Sequence, residues 1–260
     1  MKTRYHIAHP FRFAAPPYAN SVPLAQFIPE VCPGASVILD HPAKLLKRIR
    51  DRTVDAGLIP VADLFANPDL DRIEGVGICA EKQVRSVLLR CNRPLDRVQT
   101  VQLDGASRTS NTLTRILMEN HWNLDVRFVQ PDTAFAADAE VVIGDRALCT
   151  PPGAAGDYDL ATAWNQMTGL PFVFAAWVIR RDYPDPDGLA GVVHAAKQAG
   201  LMALPQIARA QALRLGLSEP VVMDYFATCI YYDVELLEIQ ALERFRQMIV
   251  ANTAPGSIAS

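Results

Sequence analysis

The tetrad Ser107-Arg108-Thr109-Ser110 sets three hydroxyls and a guanidinium where a strand-like run (Val101, Leu103) passes through Asp104-Gly105-Ala106 into the helical spacing Leu113, Ile116, Leu117. Backbone N–H groups in the first turn of a helix have no intrahelical partner, and the helix dipole adds positive potential there. Hydroxyls on such a turn build a seat for a carboxylate or a phosphate. Ser and Thr are also the ordinary N-cap residues, and taken alone the tetrad favours that role. Two more polar junctions accompany it. Asn20 or Ser21 can cap a helix that carries Pro23 in its first turn and runs on through Phe27. The apolar run 139–143 ends in Gly144-Asp145, and strand tips of open α/β sheets face ligands. Asp145 reads as such a tip carboxylate or as the N-cap of the next turn.

These junctions must be held by strands and helices, and the chain alternates them. Residues 5–8 read as a first strand, and 9–17 as a loop, because Pro10, Pro16 and Pro17 lack donors and fix φ. Residues 36–39 are a short strand. Asp40 or His41 with Pro42 then opens a helix whose apolar face is Leu45, Leu46 and Ile49, against solvated Lys44, Lys47, Arg48 and Arg50. Residues 54–60 form a buried strand whose proline starts a helix at 61–65, and repeated βα units point to a mainly parallel sheet. From Gly75 the chain is strand-rich until Asn92-Arg93-Pro94, read as the crossing into a second lobe. There follow strands at 125–129 and 139–145, a loop at 151–157, and a helix at 160–167 stopped by Gly169. The strand at 171–179 has core aromatics, one of which at the mouth can cover a flat ligand. Helical pattern fills the chain from Pro186, with breaks at Gly200, around 216–220 and after Tyr232, and the tail from Thr253 reads as disordered.

Composition excludes several classes. The 260 residues carry 25 basic and 28 acidic side chains, a net charge of −3, without a basic block, so no nucleic-acid footprint is present. The expected ligand is a small molecule. The five cysteines are odd in number and scattered, which argues against a disulfide framework, and only His6 and His9 lie close together, without an acidic or cysteine partner for a metal. No signal-peptide core stands at the N-terminus and no apolar run approaches the roughly 18 residues of a membrane span, so a cytoplasmic protein with no membrane partner is expected.

Six blocks taken together resemble the menaquinone-biosynthesis proteins of the futalosine pathway, and among them the chorismate dehydratases. They are Tyr18-Ala19-Asn20-Ser21-Val22-Pro23-Leu24, Val54-Asp55-Ala56-Gly57-Leu58-Ile59-Pro60, Val84-Arg85-Ser86-Val87-Leu88-Leu89, Ser107-Arg108-Thr109-Ser110, Ile143-Gly144-Asp145-Arg146-Ala147-Leu148, and Tyr158-Asp159-Leu160 through Trp164 to Thr168-Gly169-Leu170-Pro171-Phe172-Val173-Phe174-Ala175-Ala176-Trp177. The resemblance covers about residues 5–181 and fades beyond Pro184, and the stretch 9–17 ahead of the Tyr-x-Asn motif is longer than the family pattern.

What the resemblance implies is an α/β fold like a type II periplasmic binding protein, with a ligand cleft between two lobes. Residues 1–92 and 185–260 would make one lobe and 93–184 the other, hinged near residues 90–94 and 181–186. It implies loss of water from chorismate to give 3-[(1-carboxyvinyl)oxy]benzoate, with no cofactor and no metal, in a monomer or homodimer. Asn20 would be the catalytic residue, orienting or polarising the substrate, because an amide is too weak to be a free-standing base. Tyr18, Ser21, Pro60, Ser86, Ser107, Arg108, Thr109, Ser110, Gly144, Asp145 and Phe172 would bind substrate. The sister enzyme that forms 1,4-dihydroxy-6-naphthoate is disfavoured, since the chain has neither its Ser-Pro-Cys-Pro-Asn-Asp-Thr-Phe motif nor its paired Thr-Thr. A solute-binding protein for a small carboxylate would share fold and anion seats without doing chemistry.

Overall fold

A computed structural model describes residues 10–131 and 136–253. The strand expected at residues 5–8, the His6/His9 pair and all but the start of the tail lie outside the described residues.

Strand β1 (Arg12–Ala15) runs through the middle of the stretch read as a loop. The prolines are the reason for the reading and for its failure: Pro10, Pro16 and Pro17 bracket the strand without entering it, and Phe13, Ala14 and Ala15 between them are fully buried. β1 pairs in parallel with β2 (Ser36–Leu39) on one side and β3 (Ala56–Pro60) on the other. Between them lie two single-turn helices, α1 (Val22–Ala25) and α2 (Ile28–Val31), and the amphipathic α3 (Pro42–Arg50), which buries Leu45 and Ile49 and is capped by His41 Nδ1. α4 (Val61–Phe65) starts directly at Pro60, and β4 (Leu70–Ala80) follows.

The chain then enters a second sheet with β5 (Val87–Cys91). Next come β6 (Thr100–Gln102), α5 (Arg108–Asn120), β7 (Arg127–Val129), β8 (Ala139–Ile143), α6 (Gly144–Cys149), β9 (Gly156–Asp159) and α7 (Leu160–Thr168). β10 (Phe172–Arg180) returns to the first sheet, and α8 (Pro186–Met202), α9 (Leu204–Leu215), α10 (Glu219–Asp224), a π turn (Tyr225–Cys229) and α11 (Leu236–Thr253) complete the chain. The sheet orders are β2-β1-β3-β10-β4 and β7-β6-β8-β5-β9.

Each sheet therefore has three parallel strands followed by one antiparallel strand, β10 in the first and β5 in the second. The sequence reading had given β5 to the first lobe and β10 to the other. The sheets hold them the other way round: the chain changes sheet between Ala80 and Val87, and again between α7 and β10. The break at Asn92-Arg93-Pro94 ends a strand inside the second sheet and does not mark the crossing. One continuous apolar core spans both halves, and Phe172, Trp164 and Phe245 meet edge-on within it.

The helix break expected at Gly200 is absent, because α8 runs through it to Met202. Gly200 has a packing role instead. A Cβ at this position would sit 1.9 Å from the Pro23 carbonyl oxygen of α1. Helix propensity alone would make Gly200→Ala stabilising by about 1 kcal/mol. The backbone clash reverses the sign, and Gly200→Ala should destabilise by about 1–3 kcal/mol, read from the urea unfolding midpoint.

Candidate active site

β1 ends at Ala15, and Pro16-Pro17 delivers the chain into a 3₁₀ turn (Ala19–Ser21) that lifts Tyr18 and Asn20 to the rim between the sheets. Ser21 does not face the opening. Its Oγ bonds to the carbonyl oxygens of Pro16 and Tyr18 (2.7 Å for Tyr18), which braces the turn and makes no helix cap. Tyr18 lies flat on Gly144: a Cβ there would stand 3.0 Å from the ring, and the backbone at Gly144 has φ +60°. Both facts demand glycine.

Tyr18, Asn20, Pro60, Ser107, Ser110 and Gly144, all expected from the sequence, line one cleft. Leu58, Ile78, Val87, Ile143, Phe174 and Ala175 supply its apolar walls. The tetrad carries out its capping reading, and two of its hydroxyls line the cleft. Ser107 Oγ caps α5 by accepting from Ser110 N at 3.1 Å, and the two hydroxyls, 2.9 Å apart, also face the cleft. The amides of Arg108 and Thr109 begin the same helix, where no intrahelical acceptor exists.

The remaining expected residues stand behind this surface. Thr109 Oγ1 accepts from Ala62 N of α4 at 3.0 Å, so a hydroxyl from the second half caps a helix of the first. Arg108 pairs with Asp63 at 3.1 Å, out toward solvent; burial raises the Asp63 carboxyl and the Arg108 charge opposes that rise. Asp145 is neither cap nor cleft group: Oδ1 accepts from Ala19 N at 2.9 Å and Oδ2 from Arg214 Nη2 at 2.7 Å. Ser86 Oγ accepts from the Tyr225 hydroxyl at 2.9 Å in a fully buried contact. Phe172 is core, its ring 4.7 Å from that of Phe174, and Phe174 is the aromatic that reaches the cleft. The two are one strand period apart, so alternation named the right face but not which of its aromatics would reach the opening.

Electrostatically the cleft is unusual. Among the described residues, its lining contains no Asp, Glu, His, Lys or Arg, and Tyr18 is the one titrating side chain. Burial, with the nearby Asp104 and Asp145 carboxylates, pushes the Tyr18 hydroxyl up to about 12, which keeps it a neutral donor at physiological pH. Asn20 Oδ1 is buried without a hydrogen-bond partner, while the Asn20 carbonyl accepts from Tyr232 at 3.0 Å. Tyr225 and Tyr232 come from the C-terminal stretch, where the sequence carried no signal for the site. Among the described residues, no group of His, Cys, Asp and Glu is arranged to hold a metal, and no helix is long and apolar enough to cross a membrane.

The family model described as menaquinone biosynthesis matches residues 11–251. The chain belongs to that family. Among its relatives it is similar to the chorismate dehydratase of Thermus thermophilus, 28% identical over 95% of this chain and 97% of that protein. It is also similar to the chorismate dehydratase of Campylobacter jejuni, 34% identical over 52% of this chain and 49% of that protein. Of solved structures, a protein from Archaeoglobus fulgidus superposes with TM-score 0.73 at 14% identity, over 95% of this chain and 99% of that one. The periplasmic aliphatic sulphonate binding protein of Escherichia coli does so with TM-score 0.64 at 16% identity, over 95% and 93%. The fold of this menaquinone-biosynthesis family member is periplasmic-binding-protein-like, as its sequence led one to expect.

Because Thr109 Oγ1 is engaged by Ala62 N, Thr109→Val should cost about 1–3 kcal/mol of folding stability by orphaning a buried amide, measured by denaturant unfolding without ligand.

Proposed function

We propose that this protein is a chorismate dehydratase, a hydro-lyase of the futalosine route to menaquinone. The observation that carries the reading is the likeness to the Thermus thermophilus chorismate dehydratase along 95% of this chain. In this reading the two sheets are the cores of two lobes that close on the substrate.

Chorismate is a dianion on a cyclohexadiene ring that becomes flat and aromatic in the product, and the cleft offers matching parts. The apolar walls and Phe174 take the ring, and the Ser107 and Ser110 hydroxyls with the first amides of α5 take a carboxylate. The elimination breaks the ring C–H bond beside the enolpyruvyl ether, uses its electron pair for the new ring double bond, and breaks the neighbouring C–O bond. Aromaticity supplies much of the driving force. With no carboxylate or imidazole among the described residues of the lining, the proton acceptor available is the substrate's own enolpyruvyl carboxylate, which then hands the proton to the departing hydroxyl as water. Asn20 Oδ1, a buried acceptor without a partner, accepts from that hydroxyl and aims its lone pairs at the incoming proton. Such a site works by orientation and leaves the proton transfer to the substrate.

Mixing the protein with chorismate should produce the ultraviolet spectrum of a benzoate ether. A pure binder would leave the chorismate spectrum unchanged, and that result would overturn the assignment. Asn20→Ala should stay folded and bind chorismate while losing turnover. Asn20→Asp should lose affinity as well, since it sets a carboxylate beside a dianion. Full turnover in folded Asn20→Ala protein would remove Asn20 from the mechanism.

A further inference from the structure

The 3₁₀ turn that carries Asn20 is held from both halves of the molecule. On the side of the first half, the Tyr232 hydroxyl donates to the Asn20 carbonyl at 3.0 Å, and Gly77 N of β4 donates to the Tyr232 carbonyl at 3.1 Å, which ties that tyrosine to the first sheet. From the other half comes Asp145, the second residue of α6 at the tip of β8. Its Oδ1 accepts from Ala19 N at 2.9 Å, one residue before Asn20. Ala19 is buried and its amide opens the turn, where the turn itself offers no acceptor. Asp145 Oδ2 accepts from Arg214 Nη2 at 2.7 Å, and Arg214 Nε in turn donates to Gln211 Oε1 at 2.6 Å, so both carboxylate oxygens are fixed in direction. Next to it in the chain, Gly144 lies under the Tyr18 ring.

We propose that Asp145 is a positioning residue for Asn20: through Ala19 N it sets the turn of the first half against the second, so that the Asn20 amide and the Ser107–Ser110 seat meet one substrate in a fixed relation. The inference rests on the catalytic reading of Asn20 given above. Asn20 and the seat stand on opposite halves, and neither half alone can fix the distance between them. Asp145 does not line the cleft, so it acts through the turn and not by touching substrate. Thr109 and Ala62 N join the halves at a separate place, so the loss of Asp145 leaves them connected while freeing the turn.

Saturating chorismate holds the halves together by itself, so a residue that merely joined them would show its loss in KM. A positioning residue shows it in kcat. Asp145→Ala should therefore lower kcat for chorismate by roughly ten- to hundredfold, the range expected when a catalytic group is misplaced by about 1 Å. Asp145→Asn keeps an acceptor for Ala19 N and gives up the charge that pairs with Arg214, and it should retain most of kcat. A readout that needs no turnover is hydrogen exchange of the Ala19 amide, followed in a ¹⁵N spectrum. It should be slow in the unmodified protein and in Asp145→Asn, and faster in Asp145→Ala. If Asp145→Ala does not fold, Asp145→Ser, whose hydroxyl is one bond shorter than the carboxylate, takes its place with the same expectations. A loss confined to KM, an Asp145→Asn protein as slow as Asp145→Ala, or unaltered Ala19 exchange in folded Asp145→Ala would each overturn the proposal. Should the unmodified protein leave chorismate intact, the functional reading fails by itself, and the Ala19 exchange still decides whether Asp145 holds the turn of Asn20.

Discussion

Backbone amides at the start of a helix or turn have no partner within their own element, and at two places beside the cleft the missing acceptor comes from across it. Ala62 N of α4 finds Thr109 Oγ1, and Ala19 N of the 3₁₀ turn finds Asp145 Oδ1. Each link joins an element that follows a strand of the first sheet to one that follows a strand of the second, so the two halves are tied by the same bonds that complete these starts. Arg214 shares the Asp145 carboxylate and ties α9 into the arrangement. With Thr109 and Asp145 occupied in this way, the surface left facing the cleft consists of Tyr18, Asn20, Ser107, Ser110 and Gly144 among apolar walls.

That division of labour explains the absence of charge in the cleft lining. Arg108 spends its guanidinium on Asp63 outside, and Asp145 and Asp159 spend their carboxylates on main-chain amides. Asp159 is the most heavily used. It accepts from Ala161 and Thr162 at the start of α7 and from Val84 and Arg85 at the crossing between sheets, and these bonds oppose the rise that burial imposes on its carboxyl. The crossing needs that support, because Arg85 adopts φ +55°, where a side chain is strained. One residue later Ser86 receives the Tyr225 proton, so the same crossing also holds the π turn of the C-terminal stretch.

Under the proposed function, a dianionic substrate would meet dipoles and neutral hydrogen-bonding groups, since no cation stands among the described residues of the lining. Such groups hold a carboxylate in place without lowering its basicity as a neighbouring ammonium or guanidinium would. This suits a reaction in which the bound carboxylate must still accept a proton. It also limits what the protein must supply: a rigid amide, neutral hydroxyls and a flat apolar slot.

The sequence by itself determined the local grammar of this protein. The βα corner at Pro60, the capped start of α5 at Ser107, the end of α7 at Gly169 and the apolar strand leading to Gly144 are all written in neighbouring residues, because caps, prolines and periodicity act over a few positions. The blocks with a family likeness carried the two-lobed fold and most of the cleft surface, from Tyr18 to Gly144. Tertiary structure decided what depends on distant partners. It made a strand of Arg12–Ala15 although prolines flank it, because parallel neighbours on both sides and the burial of Phe13, Ala14 and Ala15 outweigh local punctuation. It placed β5 and β10 in exchanged sheets, since strand pairing is a long-range choice that a proline break cannot announce. It turned Thr109, Asp145 and Ser86 away from the cleft to serve amides and a hydroxyl more than 40 residues away in the chain. And it brought Tyr232 onto the main-chain carbonyl of Asn20 across about 200 residues of chain, a contact that no spacing or motif near Asn20 encodes.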